Sequence, residues 1–111
     1  MNETLNMSLA DGTHLYETEY RAYHLVREGF RVAELQLSPS QSVPWHKHTE
    51  ISDTFYVLGG TMRLFLQDPK EEVHLEPGQS HVVVAGRPHL VTNGGTTSLS
   101  FLIMQGVGTY D

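Results

Sequence analysis

Residues 44–53 read PWHKHTEISD, which sets two histidines, His46 and His48, one residue apart and two carboxylates, Glu50 and Asp53, just behind them. In an extended strand alternate side chains share a face. His46 and His48 would then point the same way, their β-carbons about 7 Å apart, and both imidazoles could meet one cation. A solvated pair, or a histidine tucked against Trp45, leaves the same trace on an exposed strand, so the pattern alone does not make a metal site. Glu50 shares parity with both histidines if the strand simply continues, which makes it a competing carboxylate to Asp53.

A second stretch, PGQSHVVVAGRPHLVTN over residues 77–93, adds the missing context. Together the two resemble the paired motifs of the cupin superfamily, small β-barrels that bind one metal ion in the barrel mouth. The first family motif is G-x5-H-x-H-x(3,4)-E-x6-G. Here His46 and His48 take the paired histidines, Asp53 stands where the Glu is expected, and Gly60 closes the motif. The second is G-x5-P-x-G-x2-H-x3-N, met by Gly78, Gly86, His89 and Asn93.

The resemblance implies an all-β fold, the double-stranded β-helix or jelly-roll barrel, with His46, His48 and His89 as metal ligands and Asp53 as the fourth. Ser40 replaces the first Gly and Val84 the Pro, changes that touch a turn and a strand end. Asp53 for Glu is weightier, because a side chain one methylene shorter reaches about 1.5 Å less far. The register anchored on Gly60 turns Asp53 inward with Phe55 and Val57 and favours it over Glu50; three histidines and water remain the alternative donor set.

The elements that would carry these residues are legible as strands. RVAELQLSPS alternates Ala33, Leu35 and Leu37 against Val32, Glu34 and Gln36. TFYVL, TMRLFLQ, EVHL, SHVVVA, HLVTN and SLSFLIMQG follow, separated by GG, DPKE, EPG, GRP and GGTT at roughly ten-residue intervals, as in a sandwich or barrel. No segment carries a helical stripe. GTHLYETEYRAYHLV fits one helical turn or, through Tyr16, Tyr20 and Tyr23, a strand. The expected layout is one domain over 1–111, with N-terminal strands or an arm over 1–29 and the barrel with both motifs over 30–104.

Composition narrows the partners. The chain has 111 residues, 39% apolar, with a formal charge of −6 and no run of Lys or Arg. Phosphate backbones and anionic lipid are therefore not expected partners. Without Cys, any metal chemistry falls to His, Asp and Glu, and seven histidines are present. MNETLNMSLADG has neither a basic start nor a signal-length apolar run, and no stretch nears the roughly 20 apolar residues of a membrane span, so a cytoplasmic location is expected.

Three imidazoles and a carboxylate suit one divalent transition ion, Zn, Ni, Fe, Mn or Co, and suit Ca poorly. Positions left open on such an ion favour catalysis. Cupins with comparable sites include dioxygenases, sugar isomerases, lyases and small polyketide cyclases, and the small single-domain form with DTFYVL looks nearest the cyclases. The expected function is a metal-dependent enzyme acting on a small diketone-, aromatic polyketide- or sugar-like molecule by cyclisation, isomerisation or dioxygenation. The rival is a non-catalytic small-molecule-binding or sensing module.

His81, as a general base or partner of a ligand, and Arg87, as an anion contact beside His89, are the weaker catalytic candidates. His14, His24 and His74 read as ordinary polar residues, and Tyr56 as outward-facing. Phe55, Val57, Met62, Leu64 and Leu66 read as core. A homodimer is expected, with the segment before Phe30 adding a strand to a neighbour.

Overall fold

The computed structural model describes residues 16–109. Nine strands succeed one another: β1 Tyr20–Arg27, β2 Phe30–Leu37, β3 Ser42–His46, β4 Ser52–Gly59, β5 Met62–Leu66, β6 Glu71–Leu75, β7 Ser80–Val83, β8 His89–Asn93 and β9 Leu99–Gly106. They form a five-stranded sheet in the order β1-β2-β9-β4-β7 and a four-stranded sheet in the order β3-β8-β5-β6. Non-consecutive neighbours in both sheets give the jelly-roll winding of a double-stranded β-helix. Among the described residues no helix is long and apolar enough to cross a membrane.

The period of two in the sequence decides which side chains enter the core. On β2 and β9 every second residue is buried: Arg31, Ala33, Leu35 and Leu37 on one, Leu99, Phe101, Ile103 and Gln105 on the other. β4 does the same with Asp53, Phe55 and Val57, leaving Tyr56 on the outer parity. Met62, Leu64 and Leu66 of β5 come from the facing sheet, and with Val91 they close an apolar core centred on Phe55 and Phe101, whose ring centroids are 6.0 Å apart. The ambiguous segment around Tyr20 is strand, since pairing with β2 satisfies its backbone groups. His14 lies outside the described residues.

Inward residues stack in rows across the five-stranded sheet. Arg31 pairs with Gln105, Gln105 with Asp53, and Asp53 with Val83. One step further in, Ala33, Ile103, Phe55 and His81 form the next row. The upper row is polar at three of its four positions and the next row at one, His81 on the edge strand, so the polar end of the barrel is set by the ends of β2, β4 and β9.

Two motif residues have structural reasons that the sequence did not disclose. Gly60 has φ +79, and a Cβ there would stand 2.4 Å from the Ser98 carbonyl oxygen, so only glycine lets the chain pass beneath the start of β9. Asn93 donates its Nδ2 to the carbonyls of Leu37 (3.1 Å) and Thr97 (2.7 Å) and accepts from Gly95 N at 2.9 Å. It thereby ties the turn before β9 to the end of β2. Ser40 lies exposed in the β2–β3 turn, at the far end of β2 from Arg31, and Val84 follows β7 at the rim of the mouth with its side chain in solvent.

Candidate metal centre

Three loops and strand ends meet at the polar end of the barrel. His46 is the last residue of β3 and His89 the first of β8, and the two are register partners across that pair of strands. His48 does not continue β3 as simple alternation would have it: the strand ends at His46, and His48 sits in the following loop, buried. Gly86 N donates to the His48 carbonyl at 2.6 Å, which docks that loop onto the turn before β8. Asp53 enters from β4, almost fully buried.

Three imidazoles surround one oxygen of Asp53, with His46, His48 and Asp53 forming one group and His89 joining it through Asp53. Asp53 Oδ2 lies 2.9 Å from His89 Nε2, 3.6 Å from His48 Nε2 and 3.8 Å from His46 Nε2. The ligand atoms of His46, His48 and Asp53 all fall within 4.8 Å of one another. The rings of His46 and His89 are 4.2 Å apart between centroids, and Phe55 meets His89 edge-on at 5.9 Å, forming an apolar floor. The shorter aspartate therefore reaches the imidazoles, because β4 brings its backbone to the inner wall. Glu50 does not: it is exposed, and its Oε1 accepts from Thr109 N at 3.3 Å.

The proton inventory shows what this cluster fits. His46 Nδ1 is 2.8 Å from the Pro44 carbonyl and His89 Nδ1 is 2.9 Å from the Arg87 carbonyl. A carbonyl only accepts, so both Nδ1 atoms carry the proton, and in the neutral ring both Nε2 atoms present a lone pair. Those lone pairs face a carboxylate. Burial opposes ionisation of Asp53 more than any other single influence, yet hydrogen bonds from His46 and His89 and the charges of His48 and His89, all of which require protons on those rings, together outweigh it and hold the carboxyl well below the usual carboxylate range. Bare imidazole nitrogens turned on an ionised oxygen repel unless protons or a cation lie among them. Neutral imidazoles with Nδ1 held by carbonyls are the usual state of metal-binding histidines, and the donor set fits a divalent transition ion.

The other sequence candidates fall elsewhere. His81 faces inward opposite Phe55, half-buried and one row deeper than Asp53. Arg87 turns away from the cluster: its Nε donates to the Gln67 carbonyl (3.1 Å) and its Nη2 to the Pro69 carbonyl (2.7 Å) and Glu71 Oε1 (3.0 Å). Its guanidinium thus braces the β5–β6 turn. His24 pairs with Glu34 at 2.9 Å, and His74 with Glu72, both on the exterior.

Two residues at the cluster were not singled out in the sequence. Gln105 Nε2 donates to Asp53 Oδ1 at 3.0 Å and lies 3.3 Å from His48 Nε2, while Arg31 Nε donates to Gln105 Oε1 at 2.8 Å. The signal was present: each is a polar residue at an inward parity position of an otherwise apolar strand. Beside the cluster a cavity runs between the sheets, lined by Tyr16, Tyr23, Phe55, Ile103, His46 and Gln105 among others.

A small antiparallel jelly-roll barrel with a histidine–carboxylate cluster at its mouth defines the class of protein. The family model described as a cupin domain matches residues 33–105, and the chain belongs to the cupin family. It is 31% identical over 78 residues to Germin-like protein 1 of Brassica napus, an alignment that takes in 68% of this chain and 38% of that protein. The chain thus spans well under half the length of this curated relative.

Solved structures share the fold. A conserved protein with a double-stranded β-helix domain from Klebsiella pneumoniae superposes with a TM-score of 0.73 at 22% identity, covering 83% of this chain and 79% of the other. A predicted oxalate decarboxylase from Thermotoga maritima gives 0.72 at 27% identity, covering 79% of each chain.

Proposed function

We propose that the protein is a mononuclear metal-dependent enzyme in which His46, His48, His89 and Asp53 hold one divalent transition ion. The observation that carries this reading is the convergence of three imidazole Nε2 atoms on one buried carboxylate oxygen, with two of the opposite ring nitrogens already committed to backbone carbonyls. Bound there, such an ion would polarise a carbonyl or enolate oxygen of a substrate.

The chain's own residues supply the rest. Phe55 and the facing apolar wall exclude water below the cluster. Tyr16, Tyr23 and Ile103 wall the adjoining cavity, whose polar edge is His46 and Gln105. No Lys, Arg, Asp or Glu is among the residues that line it. A dicarboxylate of the kind handled by an oxalate decarboxylase would be poorly matched to such walls, which lack a cation for the second carboxylate. The cavity, about 20 Å³, has room for about one water molecule, so the preference for an aromatic or diketone-like molecule, apolar in its body with one or two oxygens directed at the cluster, rests on the character of the walls and not on their volume. Cyclisation or isomerisation of such a molecule needs only Lewis acidity, whereas dioxygenation needs a redox metal.

Elemental analysis of the purified protein beside the His46→Ala/His48→Ala double variant tests the reading. Near-stoichiometric metal in the parent and none in the variant supports it, with iron directing assays to oxygenation and zinc or nickel to cyclisation or isomerisation. A parent that takes up no metal even after reloading overturns it, and the binding module becomes the working assignment.

A further inference from the structure

The row Arg31–Gln105–Asp53 crosses three strands at the barrel mouth, and all three side chains are buried. We infer that Gln105, oriented by Arg31, is a positioning residue that reserves a single oxygen of Asp53 for the metal. The inference rests on the metal-centre reading above.

The orientation of the Gln105 amide follows from its neighbours. A guanidinium has donors and no acceptor, so the atom 2.8 Å from Arg31 Nε is the amide oxygen. The NH2 group must then face the other way, toward Asp53 Oδ1 at 3.0 Å and His48 Nε2 at 3.3 Å. Turned over, the amide would set NH2 against the guanidinium and its oxygen against a carboxylate, two repulsions in place of two bonds. Arg31 thereby locks Gln105 as a donor to the cluster.

That lock divides the carboxylate. Oδ1 is taken up by an N–H, and Oδ2 is the oxygen that stands 2.9 to 3.8 Å from the three imidazoles. An unrestrained carboxylate can grip an ion with both oxygens; this one is held to one. The protein then offers four donor atoms rather than five, leaving about two positions free on an ion that takes about six. Gln105 also lines the cavity beside His46, so the residue that limits Asp53 borders the space from which a substrate would approach.

The test uses Co(II), whose visible absorption responds to the number, kind and arrangement of its donor atoms. Gln105→Met, of similar volume and without a donor, is expected to lower Co(II) affinity about tenfold, within the range typical of partners that orient ligands. It should also shift the visible bands, because a second Asp53 oxygen would take one of the positions left open in the parent.

Removing the amide strips a buried guanidinium of an acceptor and can compromise folding, so the paired Arg31→Met/Gln105→Met variant is measured alongside. It replaces both polar partners by apolar groups, and the thermal midpoint of its metal-free form verifies that it folds. Altered spectrum and affinity in a variant that folds like the parent support the inference. Parent-like affinity and bands in either variant overturn it while leaving the metal centre standing. A parent that binds no Co(II) overturns both.

Discussion

At the scale of single residues the sharpest question is whether Asp53 binds the ion or only surrounds it. Asp for Glu shortens the reach, yet Oδ2 is the atom on which all three imidazoles converge. Asp53→Ala and His89→Ala are accordingly expected to lower metal affinity to a similar extent, each by more than about a hundredfold, beyond the roughly 10- to 100-fold effect of partners that only orient ligands. Competition with a chromophoric chelator measures both; an Asp53→Ala protein within about tenfold of the parent would place the ion on three imidazoles and water. The spacing of His46, His48, Asp53 and His89 was legible because motif positions translate directly into chain positions. Arg31 and Gln105 were not, since alternation shows that a residue faces inward but not which polar neighbour it meets 74 positions away.

At the scale of elements, the strands were readable almost throughout because β2, β4 and β9 keep a strict period of two. The reading failed where backbone leaves that period. His48 stands outside β3, and its convergence with His46 comes from the loop docked by Gly86 rather than from strand alternation. Arg87 was weighed as an anion contact from its place beside His89, but a turn residue's side chain can go either way. It goes to the β5–β6 turn, where it meets two carbonyls and Glu71. Arg87→Ala should therefore destabilise the fold by about 1–3 kcal/mol, the loss of charge-assisted bonds that hold a turn, while leaving metal content unchanged. Denaturant unfolding and metal analysis of one preparation decide the matter: lost metal or lost ligand binding at unchanged stability would return Arg87 to the site.

At the scale of the whole molecule, the five-stranded sheet has two unlike faces. Its inner face holds the row Arg31–Gln105–Asp53–Val83. On the outer side Leu58 and Val82 leave about half their surface in solvent, Val84 at the end of β7 leaves 61%, and Tyr56, Leu102 and Met104 lie between the strands' exposed ends, partly covered. A run of apolar side chains along a short edge strand is a surface that monomers rarely leave open. Of the segment expected to reach a neighbour, Tyr20–Arg27 pairs with β2 of its own chain along one side and stands at the edge of the sheet on the other, and residues 1–15 lie outside the described residues. We propose that two copies pair across β7 and the outer face beside it. Light scattering at micromolar concentration should then give a mass near twice the 12.5 kDa of the chain, and Val82→Lys with Val84→Lys should halve it. Because Val82 and Asp53 belong to opposite faces of the sheet, that variant should keep its metal. A parent already at the mass of one chain would overturn the pairing, and a variant that loses metal along with its partner would show that the inner row depends on the dimer.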